Sequence, residues 1–66
     1  MTGNKVILIV DDEYIILESL KIQINNVLDS DIILEAASSA EEAFTLIDEF
    51  YDNQLDLVLV ISDYHL

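Results

Sequence analysis

Two apolar runs in this chain end in acidic residues of the kind that handle metal and phosphate. Val6–Val10 leads directly into Asp11, Asp12 and Glu13, and Leu57–Ile61 leads through Ser62 into Asp63. If the fold brings Asp11, Asp12 and Asp63 into one crevice, the carboxylates repel one another and raise each other's proton affinity. A hard divalent cation relieves that repulsion. Magnesium prefers octahedral oxygen coordination, keeps several waters, and is typically held by one or two carboxylates plus phosphate oxygens. It would also shield the charge of an incoming phosphoryl group. An aspartate oxygen could then attack phosphorus to give an acyl phosphate.

Such convergence depends on the elements that carry the acids. Val6–Val10 is β-branched and aliphatic throughout, too short for a helix and apolar on both faces, which suits a strand covered on both sides. From the acidic turn to about Leu28, the residues Ile16, Leu17, Leu20, Ile24, Val27 and Leu28 recur at helical steps, with Ile15 and Ile22 off the stripe. Asp29, Ser30 and Asp31 break the pattern, and Ile32–Leu34 begins a second strand. Ser39 with Glu42 fits a capping box ahead of a second helical stripe of Ala40, Ala43, Phe44, Ile47 and Phe50. A polar turn at Asp52, Asn53 and Gln54 precedes the third strand, Leu57–Ile61, again apolar on both faces.

The order is β-α-β-α-β, and parallel crossovers are right-handed in nearly all cases. If the second crossover steps back past the first strand, the helices lie on opposite faces and the strand order becomes 2-1-3. The order then reverses between strands one and three, and open α/β sheets bind ligands beyond the carboxyl ends at that point. Those ends carry Asp11, Asp12 and Asp63.

Composition removes several other classes of function. Fourteen acidic residues against two lysines give a net charge of -12. Nucleic-acid binding needs Lys and Arg to neutralise phosphates, so no DNA or RNA is expected as a partner. An anionic membrane surface is disfavoured for the same reason. The longest apolar runs are far short of a membrane span, and the start lacks a signal-peptide pattern, so a cytoplasmic location is expected. With no cysteine, disulfides and thiolate metal sites are excluded. Sixty-six residues make at most one domain.

Taken together these pieces resemble the receiver family of two-component signalling. The matching features are the hydrophobic strand ending in Asp11, Asp12 and Glu13, the long amphipathic helix, and the second strand followed by Ala36, Ala37 and Ser38. The pair Glu42 and Ala43 and the stretch Asp56–Leu66 around Asp63 complete the match. The resemblance covers essentially the whole chain and implies a flavodoxin-like α/β half-domain over residues 1–66, with parallel strand order 2-1-3. It implies that Asp63 is the phosphoacceptor, taking a phosphoryl group from a histidine kinase or phosphotransfer protein. Asp12 then matches a direct magnesium ligand and Asp11 a ligand acting through water. Asp63 also binds the metal, and His65 contributes its backbone carbonyl. Glu13 looks like a first-turn helix residue favoured by the macrodipole. The chain is then a phosphoacceptor rather than an enzyme, at most phosphorylating and dephosphorylating itself.

Family members are longer, and supply a hydroxyl residue and a lysine to the phosphoryl oxygens from later strands. Neither has a counterpart here; Lys5 and Lys21 occupy neither position, so phosphorylation of this chain is expected to be impaired. A phosphatase of the haloacid-dehalogenase type would need a second aspartate two residues after Asp63, where His65 stands. Phe44, Phe50 and Tyr51 read as core packing. Tyr14 and Tyr64 fall near the acids without an assignable role. The alternative function is a non-catalytic self-association module that retains the acidic pocket. It is motivated by the third strand, an apolar sheet edge expected to be buried in a homo-oligomer.

Overall fold

The computed structural model describes residues 5–62. The elements are β1 (Lys5–Val10), α1 (Tyr14–Asn25), β2 (Ile32–Ala37), α2 (Ala40–Asp52) and β3 (Asp56–Ser62). The three strands are parallel, in the order β2-β1-β3, as the crossover argument expects.

β1 is central because its composition demands cover on both faces. Val6, Ile7, Leu8 and Ile9 are all buried, and fully burying such a side chain contributes about 1.5–3 kcal/mol. Val6 and Leu8 share a cluster with Ala37 of β2 and with Ala43 and Phe50 of α2. Successive strand residues point to opposite faces, so Ile7 and Ile9 face away from that cluster. α1, with its buried Leu17, packs on β1 and β2.

Both helices are more exposed than their stripes suggest. α1 stops at Asn25, with Asn26 as its C-cap, so Val27 falls in the following turn and is exposed rather than packed. Ile15 and Ile22 are exposed, as their off-stripe positions require. On α2, Phe50 is buried, but Phe44 is 68% and Tyr51 82% exposed, which corrects their reading as core. Ala43 and Phe50 define the inward face. Residues one step further along the helix are rotated by a quarter turn or more, off the sheet.

The ends of α2 are well specified. The hydroxyl of its N-cap, Ser39, accepts from the Glu42 N–H at 3.0 Å. The Glu42 carboxylate returns the bond one residue earlier than a strict capping box would. It accepts from the Ser38 N–H at 2.6 Å and the Ser38 hydroxyl at 3.1 Å. At the other end, Leu55 N–H donates to the Phe50 carbonyl at 2.8 Å and Gln54 N–H to the Tyr51 carbonyl at 3.1 Å. This is a Schellman motif, with Leu55 also packed against the cluster that holds Phe50. Its left-handed position is taken by Gln54, at φ 61°, where glycine is the usual residue.

β3 follows β1 in register from Lys5 opposite Asp56 to Val10 opposite Ser62, with one shift. Between Val6 and Ile7 the partners jump from Leu57 to Leu59, so β3 spends one extra residue there. Such a shift bends the strand and changes which side chains share a face.

Candidate metal and phosphoacceptor site

Asp11 is the first residue after β1, and its N–H continues the ladder by donating to the Ala37 carbonyl of β2 at 3.1 Å. That bond holds the residue in the sheet, and it is only 3% exposed. One carboxylate oxygen, Oδ1, accepts from the Glu13 N–H at 2.8 Å. It thereby satisfies a free donor at the start of α1, where Glu13, the N-cap, makes no side-chain cap of its own. The other oxygen, Oδ2, is buried and has no hydrogen-bond partner. An unsatisfied buried polar atom costs about 1–3 kcal/mol, and more when charged.

Asp12 and Glu13 are exposed. One carboxylate oxygen from each of Asp11, Asp12 and Glu13 can be chosen so that all three lie within 4.8 Å of one another. The cluster sits at the amino-terminal end of α1, where the helix dipole favours negative charge. Glu13 was expected inside the first turn. Instead the helix begins at Tyr14, no acid stands in its first turn, and the Glu13 carboxylate joins the other two. The signal for this was visible as three consecutive acids directly after a strand. What concealed it was a helix start one residue later than the acidic turn suggested.

The donor set fits a hard divalent cation. It consists only of carboxylate oxygens, magnesium and calcium take oxygen ligands, and one of the three residues, Asp11, carries a buried oxygen without a partner. Exposed acidic groups also cluster without any ion, so Asp11 Oδ2 carries the argument. A charged oxygen withdrawn from water is normally paired or bound to metal.

Asp63 and His65 lie outside the described residues, as does Tyr64. What the structure gives for them is the approach of β3. Its last residue, Ser62, is paired with Val10, the residue before Asp11, and Asp63 follows Ser62 in the chain. The first strand and the third therefore deliver their carboxyl ends side by side, at the point where the strand order reverses. Tyr14 is exposed at the start of α1.

Neither lysine serves these carboxylates. Lys5 begins β1, at the opposite end of the strand from Asp11. Lys21 lies two turns into α1 and pairs with Glu18 at 3.7 Å on the surface, an interaction worth about 0.3–0.5 kcal/mol. An open cavity of about 560 Å³ is lined by Tyr51, Asp52, Gln54, Leu55 and Asp56. It lies at the start of β3, the far end of the sheet from Asp11, and takes no part in the acidic site. No helix among the described residues is long and apolar enough to cross a membrane. In comparisons with known proteins, no family model matches the chain, and no curated protein or solved structure matches it.

Proposed function

We propose that this chain is the acceptor half of a two-component receiver, taking a phosphoryl group from a phosphohistidine donor onto Asp63. The observation that supports this most is the buried, unpartnered Asp11 Oδ2 at the end of β1, beside the strand that leads into Asp63. Asp12 would hold magnesium directly and Asp11 through water, and the family resemblance assigns Asp63 and the His65 carbonyl to the rest of the set. When bound, the cation screens negative charge as the phosphoryl group approaches. An Asp63 oxygen forms the new bond to phosphorus while the donor's P–N bond breaks and its electron pair returns to the imidazole. No lysine among the described residues stands by to neutralise the transferred oxygens.

Manganese, a paramagnetic substitute for magnesium, tests the arrangement by selective broadening of backbone amide signals in NMR. Broadening is expected around residues 11–13 and also around residues 61–63. Broadening at the first group alone would separate Asp63 from the metal and remove the phosphoacceptor assignment. Acetyl phosphate with magnesium, followed by intact mass, is expected to add one phosphate, and none to Asp63→Asn. Phosphate that persists in Asp63→Asn places the acceptor elsewhere.

A further inference from the structure

Glu13 has no part in the acceptor chemistry above, yet the turn that holds Asp11 also brings the Glu13 carboxylate to it. The backbone of Glu13 is committed. Its N–H donates to Asp11 Oδ1 at 2.8 Å, and its carbonyl accepts from the Leu17 N–H at 3.1 Å to begin α1. Its side chain is exposed and makes no capping bond, so ligation by it breaks nothing that holds the helix start. One carboxylate oxygen from each of Asp11, Asp12 and Glu13 lies within 4.8 Å of the other two. Asp11 adds an independent feature, since it is 3% exposed and one of its oxygens is buried without a partner. Neither lysine neutralises the three like charges, because Lys5 begins β1 and Lys21 pairs with Glu18.

The number of carboxylates separates the two common hard cations. Magnesium dehydrates reluctantly, keeps several waters, and is usually held by one or two carboxylates at about 2.0–2.1 Å. Calcium takes about six to eight oxygens at about 2.3–2.6 Å in flexible geometry. A cation that touches all three carboxylates gives up three water positions, and at the buried Asp11 oxygen it must shed solvent on that side. Both demands favour calcium. Its larger shell also spaces the ligands further apart. From these bond lengths, neighbouring oxygens at right angles stand about 3.3–3.7 Å apart around calcium and about 2.9 Å apart around magnesium. Three like charges repel less at the longer spacing.

We propose that Glu13 is a direct ligand of the cation and that, with Asp11 and Asp12, it makes a site that binds calcium in preference to magnesium without needing Asp63. Magnesium meets Asp11 through one of its waters. Calcium takes Asp11, Asp12 and Glu13 directly and excludes magnesium while it is bound. This preference rests on the cation of the acceptor reading but not on its phosphoryl step.

Isothermal titration calorimetry of the 66-residue chain with calcium chloride and, separately, with magnesium chloride measures both affinities. Calcium is expected to bind the more tightly. Even indirect partners of a metal ligand are worth about 10–100-fold in affinity, so Glu13→Gln is expected to lose about tenfold or more for calcium. Its magnesium affinity should change far less, and its circular dichroism not at all. Glu18→Gln removes the same charge from further along α1 and is expected to leave both affinities as they are. No heat with calcium, magnesium as tight as calcium in the wild type, an equal loss of both cations in Glu13→Gln, or the same loss in Glu18→Gln overturns the proposal. Asp63→Asn is expected to keep the calcium preference, and its disappearance there overturns a site complete at residues 11–13. Failure of acetyl phosphate to modify Asp63 would sink the acceptor reading and leave these titrations as they stand.

Discussion

Asp11→Asn separates the stability of the fold from the demands of the site, because the two pull in opposite directions at this residue. The amide keeps the carbonyl oxygen that accepts the Glu13 N–H, so the turn into α1 retains its 2.8 Å bond. The substitution replaces Oδ2, buried and without a partner, by an uncharged NH₂ group. Asp12 and Glu13 each place a carboxylate oxygen within 4.8 Å of one oxygen of Asp11, so the amide also removes a carboxylate from beside two others. Relieving one unsatisfied buried acceptor is worth about 1–3 kcal/mol, and loss of like-charge repulsion acts in the same direction. In a domain of this size each kcal/mol moves Tm by about 4–8 °C. Without divalent cations, Asp11→Asn should therefore melt several degrees above the wild type. Magnesium reverses the comparison. A ligand that binds only the folded state adds RT ln(1 + [L]/Kd), about 2.7 kcal/mol at a hundred times Kd. The wild type should gain this and Asp11→Asn very little. Thermal unfolding followed by circular dichroism, with chelator and then with millimolar magnesium, gives all four numbers. A lower Tm for Asp11→Asn in chelator would refute the reasoning, since it would mean that the carboxylate stabilises the fold without a cation.

Three further outcomes follow from local geometry, each readable by chemical denaturation. Gln54→Gly relieves a left-handed residue at φ 61° inside an otherwise satisfied Schellman motif, and should stabilise by about 0.5–1 kcal/mol; a loss would mean the glutamine side chain contributes. Ser39→Ala removes the acceptor for the Glu42 N–H and should cost about 1 kcal/mol. Phe50→Ala should cost about 3–5 kcal/mol and leave the chain largely unfolded, whereas Phe44→Ala, on the exposed face of the same helix, should stay within about 0.5 kcal/mol.

Element order and sheet topology were legible because they rest on strong periodic signals. Val6–Val10 is apolar on both faces, so it had to be central. Once it was central, handedness left 2-1-3 as the order that delivers β1 and β3 to one crevice. Burial along the helices was read less well. Phe44 and Tyr51 are aromatic residues beside inward positions, and hydrophobicity alone does not tell a quarter-turn offset from the core face. Val27 was lost to a helix end at Asn25 that no glycine or proline marks. In the acidic turn, the family resemblance gave Asp12 a direct and Asp11 a water-mediated metal contact, but nothing in the sequence said which of the two is buried. The structure does, since the ladder bond to Ala37 draws Asp11 into the sheet and leaves Asp12 in solvent. The register shift in β3 had no sequence signal at all, because every residue around it is aliphatic.

Two positions in the fold break a local rule, and they do so in different ways. Gln54 takes a backbone conformation that suits glycine, yet both hydrogen bonds of its motif are made and Leu55 reaches the core beside it. Its strain is compensated within the chain and needs no function to account for it. Asp11 is uncompensated: a buried carboxylate oxygen lacks a partner among the residues the structure describes. Where a chain satisfies its own groups almost everywhere else, such a gap is a place where an outside group fits, and at the carboxyl end of β1 the group whose chemistry fits is a small hard cation.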